Sequence, residues 1–458
     1  MTSEASWWQD GAIYQIYPRS FQDSDGDGVG DLNGIRQRLD YLQSLGVTAL
    51  WLSPVSPSPM YDFGYDISDY ENIDPVFGTL ADFDALVADA HARGMRIVLD
   101  MVFNHTSHLH PWFLDSRSGR DNPKRDWYLW RDPGPDGGPP NNWESVFGGK
   151  GWEYDAATGQ YYYHQFLKEQ PDLNWRNPEV RARMMDVLRF WLARGVDGFR
   201  FDVIMSFFKD DLFRDNPTVV NSPLALVRAF DRQKHIYDRD LPEMQPVLAD
   251  IRRLLDDQPG RAAVGEVDDL DMALRYVGPD RLHMAFNFDF LGTRWLPRLF
   301  MESIRRYEEG LPEGAWPSYV LGNHDRDRLA SRFGAGPYSD ARARVAAALL
   351  LTQRGTPYLY YGDELAMLNG SLNRDEIQDP AGKLYWPMYQ GRDPERTPMQ
   401  WSAEPYAGFS PNAPWLRVNA DYAKRNVAAQ DTDPASVLNT YRALLRLRHD
   451  SVALRRGA

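Results

Sequence analysis

Apolar runs of six or seven residues, rich in β-branched and aromatic side chains, recur along the chain between stretches with a helical spacing of apolar positions. The runs are AIYQIY (12–17), VTALWLS (47–53), RIVLDMV (96–102), DGFRFDV (197–203), RAAVGEV (261–267), SYVLGN (318–323) and PYLYYG (357–362). Short, nearly continuous apolar strands alternating with helices predict parallel βαβ units. One helix is well marked: Asn177 can cap it and Pro178 can open its first turn. Val180, Met184, Val187, Leu188, Trp191 and Leu192 then follow one face up to Gly195 and deliver the chain into the run at 197–203. The alternation breaks over 105–175, where Trp112, Trp127, Trp130, Trp143, Trp152 and Trp175 accompany the turn-rich DPGPDGGPPNN. A long structured interruption of this kind predicts a subdomain that walls a site.

The 458-residue length suits one (β/α)₈ barrel, which spans roughly 250 to over 400 residues when it carries insertions. The predicted organisation is a barrel first part at 1–104, an inserted subdomain after the third strand at 105–175, and a barrel second part at 176–458. With 43% apolar and 25% charged residues the chain is neither disordered nor fibrous. Its 65 acidic and 51 basic residues leave a formal charge of −14, whose field repels phosphate backbones, so a nucleic-acid partner is not expected. No cysteine is present, which excludes disulfides and thiolate zinc sites. The N-terminus MTSEASWWQD has no basic-then-apolar leader and no long apolar run follows, so the expectation is a cytoplasmic protein outside the membrane. Oligomeric state is not legible. Aromatic residues reach 13%; core packing accounts for most of them, although their faces also suit sugar rings.

Three acidic residues stand at the C-terminal ends of separate predicted strands: Asp202 closing GFRFD, Glu266 closing AVGE, and Asp325 after VLGNHD. Asp100 stands on a fourth strand, with His105 just beyond it. In a parallel barrel these ends converge on the face where active sites form. Any one such Asp would ordinarily be a loop cap or an ion-pair partner; the repetition at several strand ends favours chemistry. Paired carboxylates can cleave a glycosidic bond, one attacking the anomeric carbon and the other protonating the leaving oxygen. Arg200 lies two residues before Asp202, hence on the same side of the strand, where its charge would keep Asp202 ionised.

These segments resemble the α-amylase family, glycoside hydrolase family thirteen, and within it the α-glucosidase and oligo-1,6-glucosidase group. The resemblance runs through AIYQIYPRSFQDSDGDGVGDLNGI (12–35), GYDISDY (64–70), DMVFNHTS (100–107), QPDLNW (170–175), GFRFDV (198–203), GE (265–266), GNHD (322–325) and GRDPERTPMQW (391–401). It implies Asp202 as nucleophile, Glu266 as general acid/base and Asp325 as a third carboxylate that grips sugar hydroxyls. It further implies that Asp62, Tyr65, His105, Arg200, His324 and Arg392 hold a non-reducing glucose, Tyr65 stacking on the ring and the two histidines bonding hydroxyls. Phe147, Phe166 and Gln170 would contribute to the pocket wall. The Asp62 and Arg392 pair implies a closed pocket, hence exo action on short α-glucosides. Val203 after the nucleophile goes with α-1,6 linkages in the resembling enzymes, whereas IMSFFKDDLFRDNP and HDRDRLASRFG resemble general α-glucosidases; both linkages stay open.

In DSDGDGVGD, Asp23, Asp25, Asp27 and Asp31 alternate with small residues, Gly28 takes the sixth place of an EF-hand-like loop and the Val29 carbonyl the seventh. The twelfth place is Gly34 rather than Glu, so the loop is no true EF-hand. The resemblance implies a structural Ca²⁺ here, with Mg²⁺ as the alternative and a solvated acidic turn as the plain reading. A dinucleotide loop is excluded by the four aspartates and by the missing GxGxxG spacing. Two rival functions remain: a glucosyl-transferring or isomerising relative of the trehalose synthase or sucrose isomerase type, and a catalytically dead binding subunit, which the three retained acids argue against. Resembling enzymes continue into a C-terminal antiparallel β-domain, whereas this sequence ends at Ala458 after the helical VLNTYRALLRLRHD, so that domain is expected to be missing.

Overall fold

The computed structural model describes residues 6–219, 228–334 and 336–457. In chain order its strands are β1 (Ile13–Ile16), β2 (Ala49–Leu52), β3 (Arg96–Met101), β4 (Trp130–Arg131), β5 (Trp152–Asp155), β6 (Gln160–Tyr163), β7 (Gly198–Phe201), β8 (Ala262–Gly265), β9 (Met284–Ala285), β10 (Ser318–Val320) and β11 (Thr356–Tyr360). Eight of them form one parallel sheet in the order β10-β11-β1-β2-β3-β7-β8-β9. This is a nearly closed (β/α)₈ barrel. At the seam, where β9 meets β10, a side chain does the joining: Ser318 Oγ donates to the Ala285 carbonyl at 2.7 Å.

All seven apolar runs lie on barrel strands; the eighth strand, Met284–Ala285, is too short to carry a pattern of its own. Alternation along each strand sorts side chains into two cores. Ile13, Ala49, Trp51, Val98, Val264, Met284, Val320 and Tyr358 fill the barrel, while Tyr14, Leu50, Leu52, Ile97 and Leu99 point outward against the helices. The helix Pro178–Ala193 buries Val180, Met184, Val187, Leu188, Trp191 and Leu192, and the Asn177 side chain caps it by accepting from Glu179 N–H.

Between β3 and β7 the chain builds a three-stranded antiparallel sheet in the order β4-β6-β5. Trp143, Trp152, Tyr163 and Leu129 form its own small core. It is tied to the barrel by a buried ammonium: Lys209 Nζ donates to Asp172 and the Ser206 carbonyl, and to Asn104 Oδ1 at 2.7 Å. Both side chains of the Lys209–Asp172 pair are fully shielded from solvent. Among the described residues no helix is long and apolar enough to cross a membrane.

Candidate active site

The strand register places the carboxylates. Asp100 on β3 lies opposite Arg200 on β7, and Arg200 lies opposite Val264 on β8. Asp100 follows Val98 by two positions, and Asp202 and Glu266 follow Arg200 and Val264 by two, so all four polar side chains continue the inward-facing rows. The Arg200 guanidinium, completely buried, becomes their hub. Its Nη1 donates to Asp100 Oδ1 and to Asp202 Oδ1, both at 2.7 Å, and its Nη2 donates to Glu266 Oε2 at 2.5 Å.

Asp202 and Glu266 therefore occupy neighbouring nitrogens of one guanidinium. Three carboxylates around one cation leave excess negative charge in a low-dielectric site, and retention of a proton is the electrostatic consequence. Burial pushes Asp100 up to about 6 against the pull of Arg200. Burial also raises Asp202 well above the usual carboxylate range, with Arg200 opposing and with the neighbouring Glu266 and Asp100 carboxyls adding to the rise; the guanidinium 2.7 Å away opposes this rise without cancelling it, contrary to the expectation that it alone keeps Asp202 ionised. The backbone past Asp202 turns sharply: Val203, a β-branched residue, adopts φ 35° and ψ 44°, a sparsely populated region that stores strain. In this turn its N–H points at Glu266 Oε2, 3.2 Å away.

Asp325, beyond β10, has the opposite environment. Burial would raise it, but the Arg392 and Arg396 guanidiniums together hold its carboxyl far below the usual range. Arg396 Nη2 donates to Asp325 Oδ1 at 2.8 Å, Arg392 Nη1 to the same oxygen at 3.3 Å, and Arg396 Nε to the His324 carbonyl at 2.8 Å. Arg392 also donates from Nη2 to Asp62 Oδ1 at 2.6 Å and from Nε to Asp379 Oδ2 at 2.5 Å. Asp62 is thus locked to Arg392 on one side and to Gln170, at 3.2 Å, on the other.

Tyr65 packs its ring parallel to His324, with centroids 5.3 Å apart and planes 4° apart. Its hydroxyl lies 3.1 Å from Asp100 Oδ2 and 2.7 Å from His324 Nε2. Burial keeps His324 well below its ordinary value, so its imidazole is neutral. Nδ1 of that ring lies 2.8 Å from Gln15 Nε2, an amide donor, which assigns the proton to Nε2. His105, also lowered by burial, lies 2.9 Å from the Tyr65 carbonyl and 3.1 Å from Gln170 Nε2, and its ring sits 5.2 Å from that of Phe166. Phe147 faces Phe166 at 5.9 Å and lies under the Arg392 guanidinium at 5.1 Å.

These side chains meet in one cavity of about 440 Å³ lined by Asp62, Tyr65, His105, Phe147, Phe166, Asp202, Val203, Glu266, Asp325 and Arg392. That volume is within the usual range for small-molecule sites, ~300–1,000 Å³. Arg200 and His324 stand behind the wall and Gln170 buttresses Asp62. Sequence reasoning missed Arg396 and Asp379, which grip Asp325 and Arg392, and also the cavity-lining Arg228, Arg239, Asp268 and Arg326. Arg396 is one helical turn's spacing beyond Arg392 within GRDPERTPMQW, a signal that could have pointed to it; Asp379 carries no comparable mark. A larger apolar groove of about 810 Å³ lies elsewhere, between the helices Pro297–Gly310 and Ser339–Thr352; it holds no acid pair and no chemistry of this kind.

In the acidic loop, carboxylate oxygens of Asp23, Asp25 and Asp27 lie within 4.8 Å of one another. Asp31 is turned away: its Oδ1 caps the helix Leu32–Gln37 by accepting from Gly34 N–H at 2.8 Å, and its Oδ2 accepts from Ser24 N–H at 2.7 Å. Gly28, at φ +92°, is required where the loop meets the Ala413 carbonyl, since a Cβ there would stand 2.4 Å from that oxygen.

The chain matches the alpha amylase catalytic-domain family over residues 15–457. It is 48% identical to a probable alpha-glucosidase of Rhizobium meliloti (strain 1021), covering 99% of this chain and 84% of that protein. It is 40% identical to an oligo-1,6-glucosidase of Heyndrickxia coagulans, covering 97% and 85% respectively. Its fold superposes on the crystal structure of an alpha-glucosyl transfer enzyme with a TM-score of 0.96 at 45% identity, covering 99% and 86%. A parallel barrel with these acids on its strand ends, matched along almost its whole length by such relatives, belongs to the alpha-amylase family and is a glycoside hydrolase.

Proposed function

We propose that the protein is a retaining, exo-acting α-glucosidase that releases α-glucose from the non-reducing end of short α-glucosides of the maltose or isomaltose type. The observation that carries this reading is the placement of Asp202 and Glu266 on neighbouring nitrogens of Arg200 inside one cavity. Retaining enzymes hold their two carboxyls roughly 5 to 5.5 Å apart, whereas inverting ones need roughly 6.5–9.5 Å to admit a water between them. Two acids gripping the same guanidinium support the short arrangement.

In this reading the one proton retained by the Asp202 and Glu266 pair sits on Glu266 once substrate is bound, so that ionised Asp202 attacks the anomeric carbon while Glu266 delivers that proton to the leaving oxygen, giving a glucosyl ester of Asp202. Glu266 then takes a proton from the incoming water as it displaces the ester. The excess negative charge around Arg200 favours the cationic sugar of the transition state. Asp325, kept ionised by Arg392 and Arg396, accepts hydrogen bonds from sugar hydroxyls. The Asp62–Arg392 pair supports exo action, because two side chains joined at 2.6 Å wall the cavity.

Proton NMR of the sugar first formed from 4-nitrophenyl α-glucoside, maltose and isomaltose tests the reading: α-glucose is expected, and first-formed β-glucose overturns it. A glucosyl-transferring reading is favoured by one observation, the likeness to an alpha-glucosyl transfer enzyme. Quantitative conversion of sucrose or maltose into an isomer without free glucose would establish it instead. We further propose that Asp23, Asp25 and Asp27 hold a Ca²⁺, or Mg²⁺ in its place, with the Val29 carbonyl as a further donor. The donor set fits, since hard oxygen ligands suit these ions and each carboxylate oxygen bonded to a backbone N–H keeps a second lone pair.

A further inference from the structure

Four guanidiniums line the cavity, those of Arg228, Arg239, Arg326 and Arg392, against six carboxylates. Three of the four are pinned. Arg392 is held by Asp62, Asp325 and Asp379, Arg228 by Asp231 at 2.6 Å, and Arg239 by Asp268. Arg326 differs: it is exposed, and among the described residues nothing hydrogen-bonds to its side chain, pairs with it or stacks on it.

Its backbone, however, is fixed on both sides. Asp325 N–H donates to the Asn323 side chain at 3.0 Å, and the Asp325 carboxylate is gripped by two arginines. Arg328 N–H donates to Asn369 Oδ1 at 2.8 Å, and Asn369 Nδ2 donates to Asp327 Oδ1 at 2.6 Å. The adjacent carboxylate, Asp327, is thereby already engaged. A guanidinium with five donors stands on an anchored loop one residue past Asp325, at the mouth of the cavity, with its hydrogen-bonding capacity unspent.

We propose that Arg326 is a specificity-determining residue on the leaving-group side, donating hydrogen bonds to hydroxyls of the neutral sugar or polyol bound beyond the scissile bond. The assignment rests on the α-glucosidase reading and extends it to the group that departs. Asp62 is buried and Arg392 and Asp325 are only partly exposed, so this set belongs to the deeper part of the cavity, and the exposed Arg326 belongs to its entrance. The excess of carboxylates over guanidiniums argues for a neutral partner, because a phosphate or sugar acid would meet net repulsion there.

The test compares α-glucosyl fluoride, whose leaving group has no hydroxyl, with maltose, isomaltose and sucrose in the wild type, Arg326→Ala and Arg326→Lys. The ratio of kcat/KM for the best disaccharide to that for the fluoride should fall about tenfold in Arg326→Ala, the scale of one lost charge-assisted hydrogen bond, and recover in part in Arg326→Lys. A ratio unchanged within twofold, or equal losses on both substrate types, overturns the proposal. Faster wild-type cleavage of a phosphorylated disaccharide than of its neutral parent, lost in Arg326→Ala, overturns the neutral-partner assignment. A wild type that cleaves none of these substrates removes the α-glucosidase reading and this proposal with it, which separates that failure from an unchanged ratio in an active enzyme.

Discussion

Arg200→Lys keeps a cation among the three carboxylates but removes the planar fork that spaces them. In the wild type, Nη1 serves Asp100 and Asp202 at 2.7 Å while Nη2 serves Glu266 at 2.5 Å. An ammonium is a point charge and cannot reproduce both arms, so at least one charge-assisted bond is lost, about 1.5–3 kcal/mol. That corresponds to roughly a 10- to 150-fold fall in kcat/KM, measured with 4-nitrophenyl α-glucoside. Stability carries a sign of its own. Burial holds Asp100 at about 6 in the folded protein against 3.8 for the free side chain. The folded state thus binds this proton more tightly, so the group favours folding most below its unfolded value, and that advantage is lost as the pH rises through about 6. The difference amounts to about 3 kcal/mol forgone above that range. Arg200 limits this loss by opposing the rise at both Asp100 and Asp202. Weakening it should raise both carboxyls further, so the variant's deficit in melting temperature should be small near pH 5 and larger near pH 8. A deficit equal at the two pH values, or larger at the acidic one, would refute the idea that this guanidinium offsets buried carboxylate charge.

Arg392→Ala removes the cation shared by Asp62, Asp325 and Asp379 and should lower kcat/KM on maltose by about 10- to 100-fold through loss of charge-assisted bonds; a change under twofold contradicts its place in the pocket wall. Arg396→Leu strips Asp325 of its 2.8 Å partner and should shift the acidic limb of the kcat/KM–pH profile upward, because the carboxyl is then less strongly held ionised, with Arg396→Lys intermediate; an unmoved limb counts against that role. Lys209→Met leaves Asp172 buried without its cation and should destabilise by about 3–5 kcal/mol, while adding Asp172→Leu should recover much of the loss; denaturant unfolding measures both, and no recovery in the double variant argues against an uncompensated charge as the cause. Chelation should lower the melting temperature and millimolar Ca²⁺ should restore it, by about 2.7 kcal/mol at a concentration one hundred times Kd, with no response in Asp23→Asn; a metal-independent melting temperature removes the cation site.

The strand runs were readable because both faces of a barrel strand are buried, which keeps them apolar throughout. The two-residue β9 was not, since its closure uses the Ser318 side chain rather than a strand ladder. The helix Pro178–Ala193 was legible to its cap, as its packing follows a single 3.6-residue face. Strand ends and period-two alternation foretold that Asp202 and Arg200 share a side, and the register supplied what they could not, the meeting of Asp100 and Glu266 on the same guanidinium. Tyr65 shows the opposite limit. Its motif pointed to a sugar-stacking ring, but only coordinates reveal the ring stacked on His324 and the hydroxyl shared with Asp100. Asp31 was counted with the alternating aspartates by spacing, whereas its Oδ1 caps the helix that starts at Leu32 and its Oδ2 accepts from Ser24 N–H. Arg396 was missed despite its spacing from Arg392 because its partner Asp325 lies 71 residues away, and Asp379, 13 residues from Arg392, carries no mark of its own in the sequence.

In the proposed double displacement Asp202 forms a covalent bond with the sugar. Reaction with 5-fluoro-α-glucosyl fluoride, followed by proteolysis and peptide mass spectrometry, tests it most directly. One fluoroglucosyl group per chain is expected, on the peptide carrying GFRFDV and located at Asp202, with no labelling of Asp202→Asn. Labelling of Glu266 or Asp325 instead, or labelling of Asp202→Asn at the wild-type rate, would contradict it.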